Sequence, residues 1–249
     1  MMDMIGSLPG LMAPAFAACL LVAATHVPLG REVLKRGIVF LDLAVAQFAA
    51  LGFIASSIFF HENEIISNAG AFLAAIAAAL VFSSMEKYGQ IIQEAMIGCG
   101  YVVAASLAVL LFTNDPHAGE EINNIMSGQV LWTKWEDLVF PAIVYAPILA
   151  LFYFRSDFLK KFFYPLFAIS VTLSVQLVGV YLVFASLILP ALGSRSLKEA
   201  YMVAIITISA GLIFSAVTDY PSGPVLVCTY AIVSLMARFH MLRRKARQI

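Results

Sequence analysis

Few residues of this chain carry a charge. Asp, Glu, Lys and Arg together make up 12% of its 249 residues, against roughly 25% in an ordinary soluble domain, so a water-soluble globule is close to excluded. Acidic and basic residues number fifteen each, for a formal net charge of zero, which points away from a nucleic-acid partner and from an acidic substrate. Cysteines are three: Cys19, Cys99 and Cys228 lie in apolar stretches and form no CxxC pair, so buried free thiols are expected rather than a disulfide framework or a redox motif. The opening MMDMIGSLPG lacks the basic n-region of a cleavable signal peptide, and residues 4 to 30 are read as a retained first span. No GxxxxGK[ST] and no GxSxG occurs, so any ATP hydrolysis linked to this chain is expected on another polypeptide.

What is present is apolar: 62% of the residues. Long stretches free of Asp, Glu, Lys and Arg recur along the whole length. A hydrocarbon layer about 30 Å thick needs roughly 20 apolar helical residues to cross it, and only closed hydrogen-bonding structures survive there. The expected fold is therefore an all-α integral membrane protein, a single polytopic domain over residues 1 to 249. Spans are predicted near 9 to 30, 38 to 60, 66 to 85, 95 to 112, 138 to 154, 162 to 178, 180 to 194, 200 to 218 and 221 to 238. Small residues run through the third, AGAFLAAIAAAL, and let helix backbones approach closely.

The count of nine rests on one stretch. Phe162 to Ser194 holds 33 residues without a charge; as one helix it would reach about 50 Å at 1.5 Å per residue, well beyond the hydrocarbon. If it crosses once, Lys and Arg divide evenly across the membrane. If it is two short helices meeting near Gly179, fourteen fall on one side and Lys134 alone on the other, which the positive-inside rule strongly prefers. The N-terminus is then outside and the C-terminus cytoplasmic, with the basic tail RFHMLRRKARQI anchoring to anionic membrane lipid.

Residues able to carry chemistry are few. Asp42, in VFLDLAVAQFAALG, is costly inside a span unless it faces water or a partner; it either serves a translocation path or pairs with Arg36 or Lys35 at the rim. Gln47 and Gln176 are mid-span amides that line a path or glue helices together. His26 is expected to be a packed or hydrogen-bonded histidine. Outside, TNDPHAGEEINN gathers Asp115, His117, Glu120 and Glu121 within seven residues, an imidazole and carboxylates suited to a borderline divalent cation, or simply a solvated acidic loop. His61 begins a zincin-like run, but position 65 is Ile and the second His is missing, so a metalloprotease is excluded. The outer segments carry nine acids against Lys134, and an acidic vestibule concentrates cations.

Five blocks taken together add a resemblance. RGIVFLDLAVAQFAALGF, QEAMIGCGYVVAA, SGQVLW, LVGVYLVFASLILPALGSR and DYPSGPVLVC resemble the permease subunits of zinc/manganese-type metal ABC importers, in the family's order and over about 200 residues. The resemblance implies a permease in the bacterial inner membrane, built as a homodimer with a second copy, a separate cytoplasmic ATPase and a periplasmic metal-binding protein. It implies no stably bound cofactor and a transported divalent metal, zinc or manganese first. It also makes the turn from Pro190 to Glu199, with Gly193, Arg195 and Lys198, the element that couples to the ATPase. Family members commonly read G-D-A-L-S-H-A-x-x-P-G in the second span; here Asp42 matches, but position 46 is Ala and no Pro precedes Gly52, which marks a divergent subgroup. Two other classes compete: an autonomous secondary transporter or cation channel, which would normally show several intramembrane charges, and an intramembrane enzyme, which needs a nucleophile and base or a metal pair inside the spans.

Overall fold

The computed structural model describes residues 2–59, 64–111, 130–154 and 161–246, and all regular structure among them is helical. Nine α-helices follow in order: α1 (Met2–Arg36), α2 (Leu41–Phe59), α3 (Glu64–Ser84), α4 (Gln90–Leu111), α5 (Trp135–Phe154), α6 (Phe163–Val178), α7 (Val180–Leu192), α8 (Leu197–Thr218) and α9 (Ser222–Ala246). Seven are long and apolar enough to cross a membrane, and the two shorter apolar helices are α6 and α7. Large apolar side chains such as Ile65, Ile91 and Val217 stand exposed along them. That surface suits hydrocarbon rather than water.

The break in the 33-residue stretch falls where expected. Gly179 has φ 80 and ψ 161 and separates α6 from α7; a left-handed φ costs a side-chain-bearing residue roughly 1 to 2 kcal/mol but glycine little. The helix ends differ from the sequence expectation at three places. α1 runs on through Arg31, Lys35 and Arg36, and α9 runs past Arg238, because a helix satisfies its own backbone whether or not lipid surrounds it. α4 begins at Gln90, after Gly89 at φ 91, which places Glu94 one turn inside the helix.

The chain divides into two compact units. The first comprises Met1–Glu32, Ser127–Leu149 and Leu177–Ile249; in it α9 packs on α7 and α8. His26 on α1 is fully buried and its Nδ1 lies 2.8 Å from the Ser186 hydroxyl of α7, which itself donates to the Val183 carbonyl. Tyr201 of α8 donates to the Ala24 carbonyl at 2.8 Å. His26 is thus a hydrogen-bonded structural histidine, as expected from its position.

The second unit comprises Val33–Met126 and Ala150–Gln176, with α2 packed on α3 and α4. The α2–α3 approach depends on small residues: a Cβ on Gly70 would lie 2.8 Å from the Gly52 carbonyl oxygen. Backbone contact of that kind is how helices associate where lipid supplies no hydrophobic drive. Phe48 meets Phe82 edge to face at 6.0 Å.

Candidate functional site

At the start of α2 the second unit holds an unusual polar cluster. Asp42 lies in the first turn of the helix and is 1% exposed; both of its carboxylate oxygens are buried with no hydrogen-bond partner among the described residues. Arg36 is engaged elsewhere. Its Nη1 pairs with Glu86 at 3.2 Å, its guanidinium stacks 4.5 Å over the Phe163 ring, and its carbonyl accepts from Gln90 Nε2. Of the two rim partners considered for Asp42, Arg36 pairs with Glu86 instead.

A second carboxylate stands beside the first. Glu94 of α4 accepts a hydrogen bond from the Phe40 backbone N–H at 3.1 Å, two residues before Asp42, and acts electrostatically on it. Its other oxygen, Oε2, is buried without a partner, as is Oε1 of Gln47, itself 5% exposed. Asp42, Glu94 and Gln47 therefore present four buried oxygens without a well-formed hydrogen bond, although the backbone N–H groups of Asp42 and Leu43 act on the Asp42 carboxylate and that of Val39 on Glu94. A buried acceptor left unmade costs about 1 to 3 kcal/mol, more when charged. The positive end of α2 offsets part of that cost.

Neighbouring Gln93 is engaged. Gln93, buried on α4, donates to the Phe82 carbonyl at 3.0 Å and contacts the Tyr164 hydroxyl at 2.6 Å. Sequence reading missed Glu94 because the fourth span was started at residue 95; Gly89, a helix-starting residue five positions earlier, was the signal that could have found it.

Gln176 makes an interhelical bond of the kind its second reading requires. It is exposed and donates to Asn68 Oδ1 at 3.0 Å, joining α6 to α3. Gly179 supplies the α6–α7 break. Pro190 lies inside α7 and Gly193 caps its C-terminus. Arg195 and Lys198 are exposed in and just after the turn that leads into α8. Asp115, His117, Glu120 and Glu121 lie outside the described residues. Among the described residues no group of three or more His, Cys, Asp or Glu side chains is placed to hold a metal ion.

Proteins similar to this chain match it over most of its length. The "Probable metal transport system membrane protein" of Thermotoga maritima is 25% identical over 92% of this chain and 88% of its own length. "High-affinity zinc uptake system membrane protein ZnuB" of Haemophilus influenzae is 24% identical over 91% of this chain and 96% of its own. "Manganese transport system membrane protein MntC" of Halalkalibacterium halodurans is 23% identical over 90% and 85%. Among solved structures, "PsaBC from Streptococcus pneumoniae in complex with Fab" shares the fold, with a TM-score of 0.69 at 20% identity over 98% of this chain and 99% of that one. The model of the ABC 3 transport family matches residues 10–165 and 154–241, nearly the whole described fold, and the chain belongs to that family.

Proposed function

We propose that this chain is the membrane-spanning permease subunit of an ATP-binding-cassette importer for a divalent transition metal ion, zinc or manganese first. The observation that carries the reading is the acceptor-only cluster at the start of α2. Four buried oxygens from Asp42, Glu94 and Gln47 that no well-formed hydrogen bond satisfies form an environment that favours receiving a cation over an anion. Relatives over almost the full length are named for metal, zinc and manganese transport, which narrows the cation to a transition metal. In this reading Asp42 and Gln47 stand on the translocation path, and Gly179 allows the short helices α6 and α7 to end inside the membrane. Gln176 holds α6 in place.

The remaining parts follow from the same assignment. ATP hydrolysis belongs to a separate cytoplasmic subunit, engaged at the turn from Pro190 to Glu199 with Gly193 and Lys198. A second copy of the chain completes the permease, and a periplasmic protein delivers the metal. The protein sits in the bacterial inner membrane with its N-terminus outside and its C-terminus cytoplasmic. At the outer mouth Asp115, His117, Glu120 and Glu121 meet the arriving ion, where a weak hydrated site suits a step that must also release.

The test is reconstitution. Proteoliposomes carrying this chain with its co-purified ATPase should accumulate zinc or manganese only with ATP present. Equal accumulation by this polypeptide alone would refute the assignment and favour an autonomous carrier or channel.

A further inference from the structure

The turn between α7 and α8 is tied at both of its sides by bonds that use one residue three times. Arg195 donates its backbone N–H to Glu199 Oε2 at 2.8 Å. Its carbonyl accepts from Arg31 Nη2, on α1, at 3.0 Å. Its own Nη2 donates to the Met241 carbonyl of α9 at 2.9 Å. Glu199 closes the loop locally, since its backbone N–H donates to the Ser196 hydroxyl at 3.2 Å and Ser196 is the N-cap of α8. One residue back from this turn, Gly193 packs so closely on α9 that a Cβ there would sit 2.9 Å from the Ser234 Cα. All of these residues belong to the first unit.

Charge-assisted bonds to carbonyls are roughly twice as strong as neutral ones, and an exposed turn needs none of them to avoid burying a polar group. Water would satisfy the same atoms. What the bonds add is rigidity: they resist a shift of the turn relative to α1 at Arg31 and to α9 at Met241. Arginine suits this, because its planar fork loses less freedom per bond than a lysine ammonium on a flexible stem. Arg195 and Lys198 are both exposed, but the guanidinium of Arg195 is bonded to the Met241 carbonyl within the chain.

We propose that Arg195 and Arg31 are positioning residues that make the α7–α8 turn, the part of α1 around Arg31 and the end of α9 one mechanical piece, so that a partner engaging the turn moves all three together. This rests on the permease reading above and gives it a route: the ATPase touches Lys198 and the outer side of the turn, and Arg195 passes the motion on. A contact role and a relay role for Arg195 make different predictions. Loss of a contact lowers partner binding, while loss of a relay leaves binding and ATP hydrolysis in place and lowers the metal moved per ATP.

The experiment uses the complete complex in proteoliposomes with Mn²⁺ and Zn²⁺ as probes, comparing wild type with Arg195→Gln, Arg195→Lys, Arg31→Gln, the Arg31→Gln/Arg195→Gln double variant and Lys198→Glu. Arg195→Gln and Arg31→Gln should keep ATPase association and hydrolysis but lower metal moved per ATP by about fivefold or more, the range of a coupling free energy of 1 to 3 kcal/mol. The double variant should be no worse than the worse single one, because both break the same relay. Lys198→Glu should weaken association with metal per ATP unchanged. Arg195→Lys, which keeps one donor within reach of the Met241 carbonyl, should fall between. If Arg195→Gln loses association in step with uptake, or leaves metal per ATP unchanged, the relay is overturned. Should Arg195→Gln fail to insert, Arg31→Gln and Arg195→Lys decide on the same criteria. Amide exchange separates this from failure of the permease reading. Arg31→Gln should speed exchange over residues 194 to 199 whatever the protein transports, and unchanged exchange there would overturn the tether itself, whereas a wild-type complex without ATP-dependent uptake would overturn only the function it was meant to serve.

Discussion

Two polar regions of this protein are built on opposite principles. At the start of α2, Asp42, Glu94 and Gln47 bury four acceptor oxygens with no well-formed hydrogen bond, while in the turn before α8 the Arg195 amide, carbonyl and guanidinium and the Ser196 hydroxyl all have partners. The first arrangement costs stability and the second contributes it. A chain selected only for folding would fill the first with apolar residues or supply a donor, since well-packed apolar replacements of buried charge are often neutral or stabilising. The unmet acceptors are retained for something that comes and goes, and the bonds of Arg195 for something that must stay fixed, even though the Ser194 hydroxyl of the same turn is buried without a partner among the described residues.

The largest expected effect lies in the first region. Asp42→Asn keeps shape and removes a buried carboxyl able to hold a cation, so metal uptake should fall by about tenfold or more, in the range seen when groups around a metal are changed. Thermal stability in detergent should hold or rise. A drop in melting temperature together with unchanged uptake would reverse the comparison, making Asp42 structural. Gly179→Ala comes next: the left-handed backbone at φ 80 should cost about 1 to 2 kcal/mol, read as a lower melting temperature. Full stability in that variant would mean that the α6–α7 break can adopt another backbone.

Ser196→Ala probes the second region from the stability side. The hydroxyl accepts from the Glu199 amide at 3.2 Å, and removing an N-cap of this kind costs about 1 kcal/mol. The melting temperature should fall in Ser196→Ala, in contrast to Asp42→Asn. Two variants that moved stability in the same direction would erase the distinction between the regions.

The fold was legible in the sequence to a depth that the candidate site was not, for a physical reason. Spans announce themselves through the absence of charge over about 20 residues, and Gly179 through a stretch too long for one crossing; both are properties of the chain read alone. Partner choice is a tertiary property. Asp42 stood out by type and context, yet nothing local said that Arg36 would take Glu86 and leave Asp42 unpaired. Glu94 was hidden by a boundary misplaced by one turn, and Arg195 drew notice as a surface charge when its guanidinium bonds inward to Met241. The acidic loop of Asp115, His117, Glu120 and Glu121 lies outside the described residues, and its sequence supports both readings, a mouth for cations and a solvated acidic loop.

The smallest expected effect concerns Gln176, which shares its residue type and mid-span position with Gln47 and differs in what it meets. Gln47 Oε1 is buried without a donor, whereas Gln176 is exposed and donates to Asn68 at 3.0 Å. Interhelical hydrogen bonds inside a membrane average about 0.6 kcal/mol by double-mutant cycles, because the separated helices also find partners. Gln176→Ala should therefore lower stability by about that amount, leave the zinc or manganese preference unchanged, and show no further loss when combined with Asn68→Ala. Gln47→Ala should instead change uptake with little change in stability, since it removes an acceptor that makes no bond. If Gln176→Ala altered metal preference while Gln47→Ala did not, the two amides would exchange roles, and the path would run past α6 and α3 rather than along the start of α2.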